Sequence, residues 1–474
     1  MSWRIAGFCL MVLIVVSIVL TRITASTGNL WLAVLCGTWL TSVIWALTRR
    51  SFSLLFTAIM VAMLIFVIMP ATYAQLFGST TIAGNDYSAG VVRALEIAAF
   101  AQCGMLVGAV GARTLWPVPP LVRLLPELSA SRLDKAARWS VCGGILAVAS
   151  LSALGGAGLS NFFVYATSGG YGTFASKTTG YFGYLVALQG LASLALVLLP
   201  LRLGSFSTRR WPALLVAALA TLVLLGGGQR SRFFVPVFAA GLVWLKTARK
   251  PLPSRRLIVV GILIFIIISG VIGATRGTTA SRKITQQSVL TASVGSSGDL
   301  FLPLAGLTTI VPTEIPYLHG TSYGQFFVFL VPRTLWHGKP KGAISDVTVV
   351  MDPGNSGLAF PEFGEMYANF GLPGVIIGSL LLGMLIELLS RRLAQTESVR
   401  EAVMTAALSA VLIDIFVRGA VAPMLMSFAG LLLATALICR RKSLVLGNAR
   451  TRLPQSTPES AEGPVVRSKK IDPC

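Results

Sequence analysis

The chain has 474 residues, of which 54% are hydrophobic and only 12% are charged, and its mean hydropathy is +0.78. Soluble domains carry roughly 25% charged residues, so this composition excludes a soluble, disordered or fibrous protein and predicts a polytopic membrane protein. The net charge of +22 suggests nucleic-acid binding at first sight, but that function requires the basic residues to form one clustered face.

Apolar runs long enough to cross a bilayer recur along the chain and predict an all-α fold with about 12 transmembrane helices. The first run resembles the apolar core of a signal peptide, but Arg22 and the many spans behind it favour an uncleaved helix. The predicted spans are 4–21, 30–47, 52–72, 91–112, 139–157, 181–201, 211–227, 233–246, 256–274, 367–389, 402–417 and 420–439.

The positions of the Lys and Arg residues predict the orientation of these helices. With the N-terminus in the cytoplasm, every cytoplasmic segment is basic, and most of the 39 basic residues fall on that side. Topology therefore accounts for the net charge, and the sequence predicts a phospholipid bilayer, not nucleic acid, as the partner. We expect residues 1–439 to form a single transmembrane domain with both termini in the cytoplasm, and 440–474 to be a disordered tail.

One long loop, 275–366, is predicted between the ninth and tenth spans, on the side away from the cytoplasm. Its apolar stretches 300–312 and 323–335 are too short to cross the bilayer and are typical of re-entrant or interfacial helices. The six cysteines form no CxxC pair, and the sequence has no P-loop and no zinc motif. We therefore predict no metal and no cofactor.

Several arginines at the predicted outer ends of helices run against the usual distribution of charge. Arginine is preferred where a protein binds phosphate through two parallel hydrogen bonds, so such a cluster suits a lipid diphosphate head group. The alternative is that they are snorkelling side chains or form structural ion pairs such as Arg93–Glu96 and Asp414–Arg418. The arginines at such helix ends are Arg230, Arg232, Arg276 and Arg418, and a further outer arginine, Arg333, lies within the long loop.

The long loop contains further candidate residues. Both histidines, His319 and His337, lie in it, and its last residues run directly into the tenth span. Glu365, Tyr367 and Asn369 lie at the mouth of that span. A carboxylate at this position is a candidate general base, and it is equally suited to cap the N-terminus of a helix.

Three sequence blocks carry a further signal. They are Gly228-Gln229-Arg230; Gly320-Thr321-Ser322-Tyr323 with Val331-Pro332-Arg333-Thr334-Leu335-Trp336 and Lys339-Pro340; and Gly364-Glu365-Met366-Tyr367-Ala368-Asn369-Phe370-Gly371-Leu372-Pro373-Gly374. Together they resemble the pattern of the Wzy-type oligosaccharide repeat-unit polymerases, also called O-antigen polymerases. The blocks are short but occur in the right order and spacing, and the resemblance covers residues 220–390.

The resemblance implies a fold similar to the C-type membrane glycosyltransferases and a location in the bacterial cytoplasmic membrane. It implies an enzyme that polymerises oligosaccharide repeat units carried on undecaprenyl diphosphate, by glycosyl transfer at the outer face of that membrane. A flippase and a chain-length regulator are the implied protein partners. On this interpretation the catalytic residues are Glu365, Arg276 and Arg333. The substrate-binding residues are Arg230, Arg232, Arg418, Tyr367, Asn369, His337, His319 and Tyr323.

Two alternative functions remain open from the sequence. An O-antigen ligase would share the basic outer surface and the long loop, and would differ in its acceptor. A secondary transporter would share the number of spans, but transporters usually show two related halves and binding sites at the middle of the membrane. Here no internal repeat is visible, and the charges lie at the ends of the spans.

Overall fold

The protein is almost entirely helical in the residues that its structure, a computed structural model, describes. The predicted spans 4–21 and 256–274 and the predicted tail 440–474 lie outside these residues. The described residues are 27–47, 54–78, 80–82, 85–115, 130–154, 182–204, 210–225, 231–247, 300–329, 331, 335–336, 347, 350–351, 359–396 and 398–439.

Fifteen α-helices and one small hairpin follow one another in the described part of the chain. Strands β1 (Thr81–Ile82) and β2 (Asn85–Asp86) pair antiparallel, with Thr81 opposite Asp86. The helices are α1 (Thr27–Leu47), α2 (Leu54–Met63), α3 (Met69–Phe77), α4 (Ser88–Leu115), α5 (Ala130–Leu154), α6 (Phe182–Gln189), α7 (Ser193–Val197), α8 (Leu199–Gly204), α9 (Arg210–Leu225), α10 (Ser231–Thr247), α11 (Phe301–Ile310), α12 (Thr321–Phe329), α13 (Glu362–Gln395), α14 (Val399–Arg418) and α15 (Val421–Cys439).

Six helical stretches among the described residues are long and apolar enough to cross a membrane. Each of the ten predicted spans that falls in the described part of the chain overlaps a helix, so the chain is an integral membrane protein, while the total of twelve spans stays a prediction. The six stretches are Thr27–Ala46, Leu55–Phe77, Ser88–Leu115, Leu133–Ala153, Tyr184–Leu203 and Glu362–Gln395.

Helices α4 and α13 pack side by side through glycines. A Cβ atom on Gly108 of α4 would lie 2.0 Å from the carbonyl oxygen of Leu380. A Cβ atom on Gly383 of α13 would lie 2.1 Å from the carbonyl oxygen of Met105. The two backbones are therefore in direct contact, as is typical of helix pairs in membranes that associate through small residues.

The two ends of this helix pair carry different charged groups. At one end the guanidinium carbon of Arg93 lies 5.7 Å from the centroid of the Tyr367 ring, and at the other Arg113 Nη1 lies 3.7 Å from Glu387 Oε1. Both helices therefore run in the same direction, as the predicted topology requires of two even-numbered spans. We call the end that holds Arg93 and Glu365 the carboxylate end, and the end that holds Arg113 and Glu387 the arginine end.

The short helix α11 lies within the bundle at the carboxylate end. Phe301, Leu304 and Leu307 are fully buried in the largest apolar cluster, which also contains residues of α2, α4 and α13. A Cβ atom on Gly90 of α4 would lie 2.1 Å from the carbonyl oxygen of Ala305. This part of the long loop is therefore packed between the spans, which fixes the start of α13 beside it.

Replacement of Gly108 by Ala is expected to destabilise the protein, because the new methyl group would overlap the backbone of α13. Overpacking of this kind typically costs about 1–3 kcal/mol. Gly111, one turn further along the same helix, has no atom within 4 Å of its would-be Cβ, so Gly111→Ala is the matched control. The measurement is thermal unfolding of the purified protein in detergent, and equal melting temperatures of the two variants would contradict the prediction.

Candidate functional site

The residues at the carboxylate end are positioned by a sharp turn inside α13. Gly371 has φ 65° and ψ −156°, a conformation that is essentially restricted to glycine. The segment 362–370 folds against the rest of the helix, so that Met366 Sδ lies 3.9 Å from Ser379 Oγ. The apolar run 367–389 predicts one span, and the chain forms two helical segments here because glycine permits this turn just before Pro373.

Glu365 is almost completely buried and binds the start of another helix. Its Oε2 accepts a hydrogen bond of 2.9 Å from the backbone N–H of Val421, the first residue of α15. The hydroxyl of Ser322 and the backbone N–H of Ala420 also interact with this carboxylate. Unpaired N–H groups and the helix dipole favour negative charge at a helix N-terminus. Glu365 therefore caps α15.

Glu362 precedes Glu365 by three residues and is also buried. Tyr323 Oη donates a hydrogen bond of 3.1 Å to Glu362 Oε1, and the two carboxyl groups interact with each other. The second oxygen, Glu362 Oε2, is buried without a hydrogen-bond partner among the described residues. Burial, and then the charges of Glu362 and Glu365, raise the pKa of the Tyr323 phenol, so the phenol stays protonated and remains a donor.

Asn369 connects the long loop to the carboxylate-bearing segment. Its Nδ2 donates to Ser322 Oγ at 2.7 Å and to the carbonyl oxygen of Glu365 at 2.8 Å. Its Oδ1 accepts from the backbone N–H of Gly320 at 2.8 Å. His319 is exposed, and its backbone N–H donates to the Asn369 carbonyl oxygen at 3.1 Å. The predicted site residues Tyr323, Glu365 and Asn369 therefore come together, with Ser322 between them.

Tyr367 lies on the side of this segment that faces α4. Its hydroxyl donates to the carbonyl oxygen of Val311 at 3.4 Å, and its ring is 3% exposed under the guanidinium of Arg93. Arg93 Nη1 lies 2.6 Å from Glu96 Oε2. The alternative interpretation of this arginine as half of a structural ion pair is confirmed.

Arg232, at the start of α10, is buried against helix α6. Its Nη1 donates a hydrogen bond of 2.6 Å to Gln189 Oε1, and Gln189 Nε2 donates to the carbonyl oxygen of Val223 at 2.6 Å. At the other end of α6, Tyr184 Oη donates to the carbonyl oxygen of Phe329 at 3.3 Å. Helix α6 therefore joins Arg232 to α12, the helix that carries Ser322 and Tyr323.

The remaining predicted residues divide into two groups. Arg418 is the last residue of α14 and precedes Gly419, which leads to the N-terminus that Glu365 caps. The others, for which the structure gives no description, are Arg230, Arg276, Arg333 and His337. In the described part of the chain no group of three or more His, Cys, Asp or Glu side chains is placed to hold a metal ion.

A family model for O-antigen polysaccharide polymerase Wzy matches residues 160–445. The match covers more than half of the chain and includes both buried carboxylates, Asn369 and Arg232. The chain belongs to the O-antigen polysaccharide polymerase family. No curated protein and no solved structure matches it. The resemblance seen in the sequence is thereby confirmed, and this family of membrane proteins acts on lipid-linked oligosaccharides.

The arrangement in this O-antigen polymerase family member contains two residues that the sequence did not single out. Glu362 carried no distinguishing signal of its own in the sequence, and Ser322 occurred only within one of the three sequence blocks. The spacing Glu362-x-x-Glu365 was an available signal, because residues three apart lie on one face of a helix. No local signal indicated Ser322, whose partner Asn369 lies 47 positions away.

Asn369→Ala is expected to loosen the contact between α12 and α13. The substitution removes the Asn369 hydrogen bonds to the partly buried N–H of Gly320 and to the carbonyl oxygen of Glu365, and a buried group left unpaired costs about 1–3 kcal/mol. The expected result is faster proteolysis within residues 300–361 of the purified protein. Thr313→Ala, at an exposed position of the same loop whose hydroxyl donates to carbonyl oxygens of the preceding turn, is the control, and equal cleavage rates would contradict the prediction.

Proposed function

We propose that this chain polymerises oligosaccharide repeat units carried on a lipid diphosphate, and that the Glu362–Glu365 pair activates the acceptor hydroxyl. Membership of the O-antigen polymerase family supports the polymerase activity. The observation that carries the assignment of the site is the pair of buried carboxylates in which one oxygen, Glu362 Oε2, is not hydrogen-bonded by any described residue. Buried polar groups are normally hydrogen-bonded, so such an oxygen suits a donor that arrives with the substrate.

The reaction that this site suits is a transfer of the growing chain from its lipid to a sugar hydroxyl. The hydroxyl oxygen of the acceptor unit forms a bond with the anomeric carbon of the donor. The bond from that carbon to the lipid diphosphate breaks, and the diphosphate leaves with the electron pair. The proton of the hydroxyl passes to a carboxylate, which is general base catalysis.

The two carboxylates have different surroundings, which supports a division of roles. Glu365 is held by the N-terminus of α15, which stabilises its negative charge. Glu362 Oε1 accepts the hydrogen bond from the Tyr323 hydroxyl, which leaves Oε2 to bind the acceptor hydroxyl. The general base, which the sequence places at Glu365 alone, is thus proposed to be a pair of carboxylates. Glu362 receives the proton, and Glu365 orients Glu362 and supports its role as a base.

The arginines are proposed to bind the diphosphate as negative charge develops on it. Arg276 and Arg333 retain the catalytic role given by the resemblance, and Arg230, Arg232 and Arg418 bind the substrate. An arginine fork matches the oxygens of a phosphate group. Arg232 is held by Gln189 at 2.6 Å, which would fix its direction before the substrate binds.

Sugar contacts are proposed for the residues around the carboxylate segment. His319 is exposed beside it, and Tyr323, Tyr367 and His337 belong to the same set. Asn369 has its amide engaged with protein groups, so we assign it to positioning Ser322 and Glu365. The site would face the outside of the bacterial cytoplasmic membrane, with both chain termini inside, and a flippase and a chain-length regulator would be its partners.

The experiment that tests this function is deletion of the gene followed by analysis of lipid-linked sugars. A polymerase predicts the accumulation of single repeat units on the lipid and the loss of polymer. Accumulation of finished polymer on its lipid would instead indicate a ligase, and unchanged lipid-linked sugars would indicate a transporter of another substrate. Either of these outcomes would overturn the proposal.

A further inference from the structure

The arginine end of the bundle contains a buried guanidinium group with two unused donors. Arg391 lies near the end of α13 and is 4% exposed. Its Nε donates to Glu387 Oε1 at 3.3 Å. Its Nη1 and Nη2 are buried and have no hydrogen-bond partner among the described residues. A buried donor without a partner is costly, and more so when it belongs to a charged group.

Two further basic side chains lie near Arg391 at this end of the bundle. Glu387 is shared, because Arg113 Nη1 also lies 3.7 Å from the same Oε1. The buried Lys246 at the end of α10 donates to the carbonyl oxygen of Ala394, one turn after Arg391. The described residues at this end of the helices therefore include the cationic side chains of Arg391, Arg113 and Lys246. The connecting sequences predicted on this side add more basic than acidic residues.

This arrangement fits an anion with at least two oxygen atoms. The two terminal nitrogens of arginine form a planar fork that binds phosphate through parallel hydrogen bonds. Arg391 lies at the end of a helix long enough to cross the membrane, and the neighbouring Arg392 is exposed. The unused donors are therefore close to the level of the lipid head groups, where basic pockets between transmembrane helices bind anionic lipids.

We propose that the arginine end of the bundle holds a binding site for a phosphate group, with the Arg391 fork as its main contact and Arg113 and Lys246 supplying further positive charge. The phosphate belongs either to the head group of an anionic phospholipid or to a soluble phosphate compound. The site is at the opposite end of α4 and α13 from the carboxylate pair, and it does not depend on the proposed polymerase chemistry.

The test is thermal unfolding of the purified full-length protein in detergent with three additives. These are phosphatidylglycerol, phosphatidylcholine and inorganic phosphate, because a compound that binds only the folded state raises the melting temperature. A rise with phosphatidylglycerol but not with phosphatidylcholine supports the proposal and identifies the lipid as the source. An equal rise with inorganic phosphate supports it and identifies a soluble source. If neither phosphatidylglycerol nor inorganic phosphate raises the melting temperature, the proposal is overturned.

Two arginine variants locate the site. Arg391→Gln is expected to weaken the apparent affinity for the stabilising additive about tenfold or more, since it removes charge-assisted hydrogen bonds. Arg392→Gln removes the same charge from the adjacent exposed position and is expected to keep the wild-type response. If Arg391→Gln does not fold, Arg391→Lys keeps the charge without the fork and should show a reduced response. A wild-type response in whichever Arg391 variant folds would overturn the proposal.

Discussion

Glu362→Gln is expected to lower the rate of polymer formation by roughly 10²- to 10⁴-fold, which is the usual contribution of a general base. Glutamine has the same size and can still accept the hydrogen bond from Tyr323, but its amide cannot take a proton from the acceptor hydroxyl. The rate is measured as repeat units joined per unit time, in membranes that contain equal amounts of folded protein and added lipid-linked repeat units.

Glu365→Gln is expected to cause a loss of similar size, because the amide has no negative charge to support Glu362 or to bind the N-terminus of α15. If the two residues act as a unit, the double variant should be little worse than either single one. Glu314→Gln changes an exposed carboxylate on the same loop and serves as the control. A Glu362→Gln protein with near wild-type rates would remove Glu362 from the mechanism.

Most of the helices could be predicted because the length of an apolar run is a local property of the sequence. Each of the ten predicted spans within the described residues overlaps a helix, and the predicted direction of spans four and ten agrees with the parallel packing of α4 and α13. The turn at Gly371 was not predicted, since a hydropathy pattern carries no information on the backbone angles of a single residue. The folding of α11 between the spans depends on contacts such as Gly90 with Ala305, which are distant in sequence.

The candidate site could be predicted only in part, for a related reason. Glu365, Tyr323 and Asn369 were chosen from their position and their sequence blocks, and the structure places them in one connected group. The partner of Glu365 is the backbone of Val421, 56 residues later. Such a pairing is created by the packing of two helices, so the sequence could indicate that Glu365 suits a helix cap without indicating which helix it caps.

Gly419→Ala is expected to damage both the stability of the protein and its activity. Gly419 connects α14 to α15 with φ 56° and ψ −152°, and forcing another residue into this conformation costs about 1–3 kcal/mol. The new Cβ atom would also lie 2.7 Å from the carbonyl oxygen of Phe360. Phe360 lies two residues before Glu362, and Gly419 lies two residues before Val421. The clash would therefore move Glu365 away from the backbone N–H of Val421, which donates a hydrogen bond to it.

The matched control is Gly241→Ala, in the interior of α10, where no atom lies within 4 Å of the would-be Cβ. Alanine there should be neutral or stabilising by up to about 1 kcal/mol, because it favours helix more than glycine does. Thermal unfolding and the polymerisation rate are measured for both variants. If Gly419→Ala melts earlier but keeps its full rate per folded molecule, the contact between Glu365 and Val421 serves folding alone. If its rate falls further than the loss of folded protein explains, that contact also positions the carboxylate pair for catalysis.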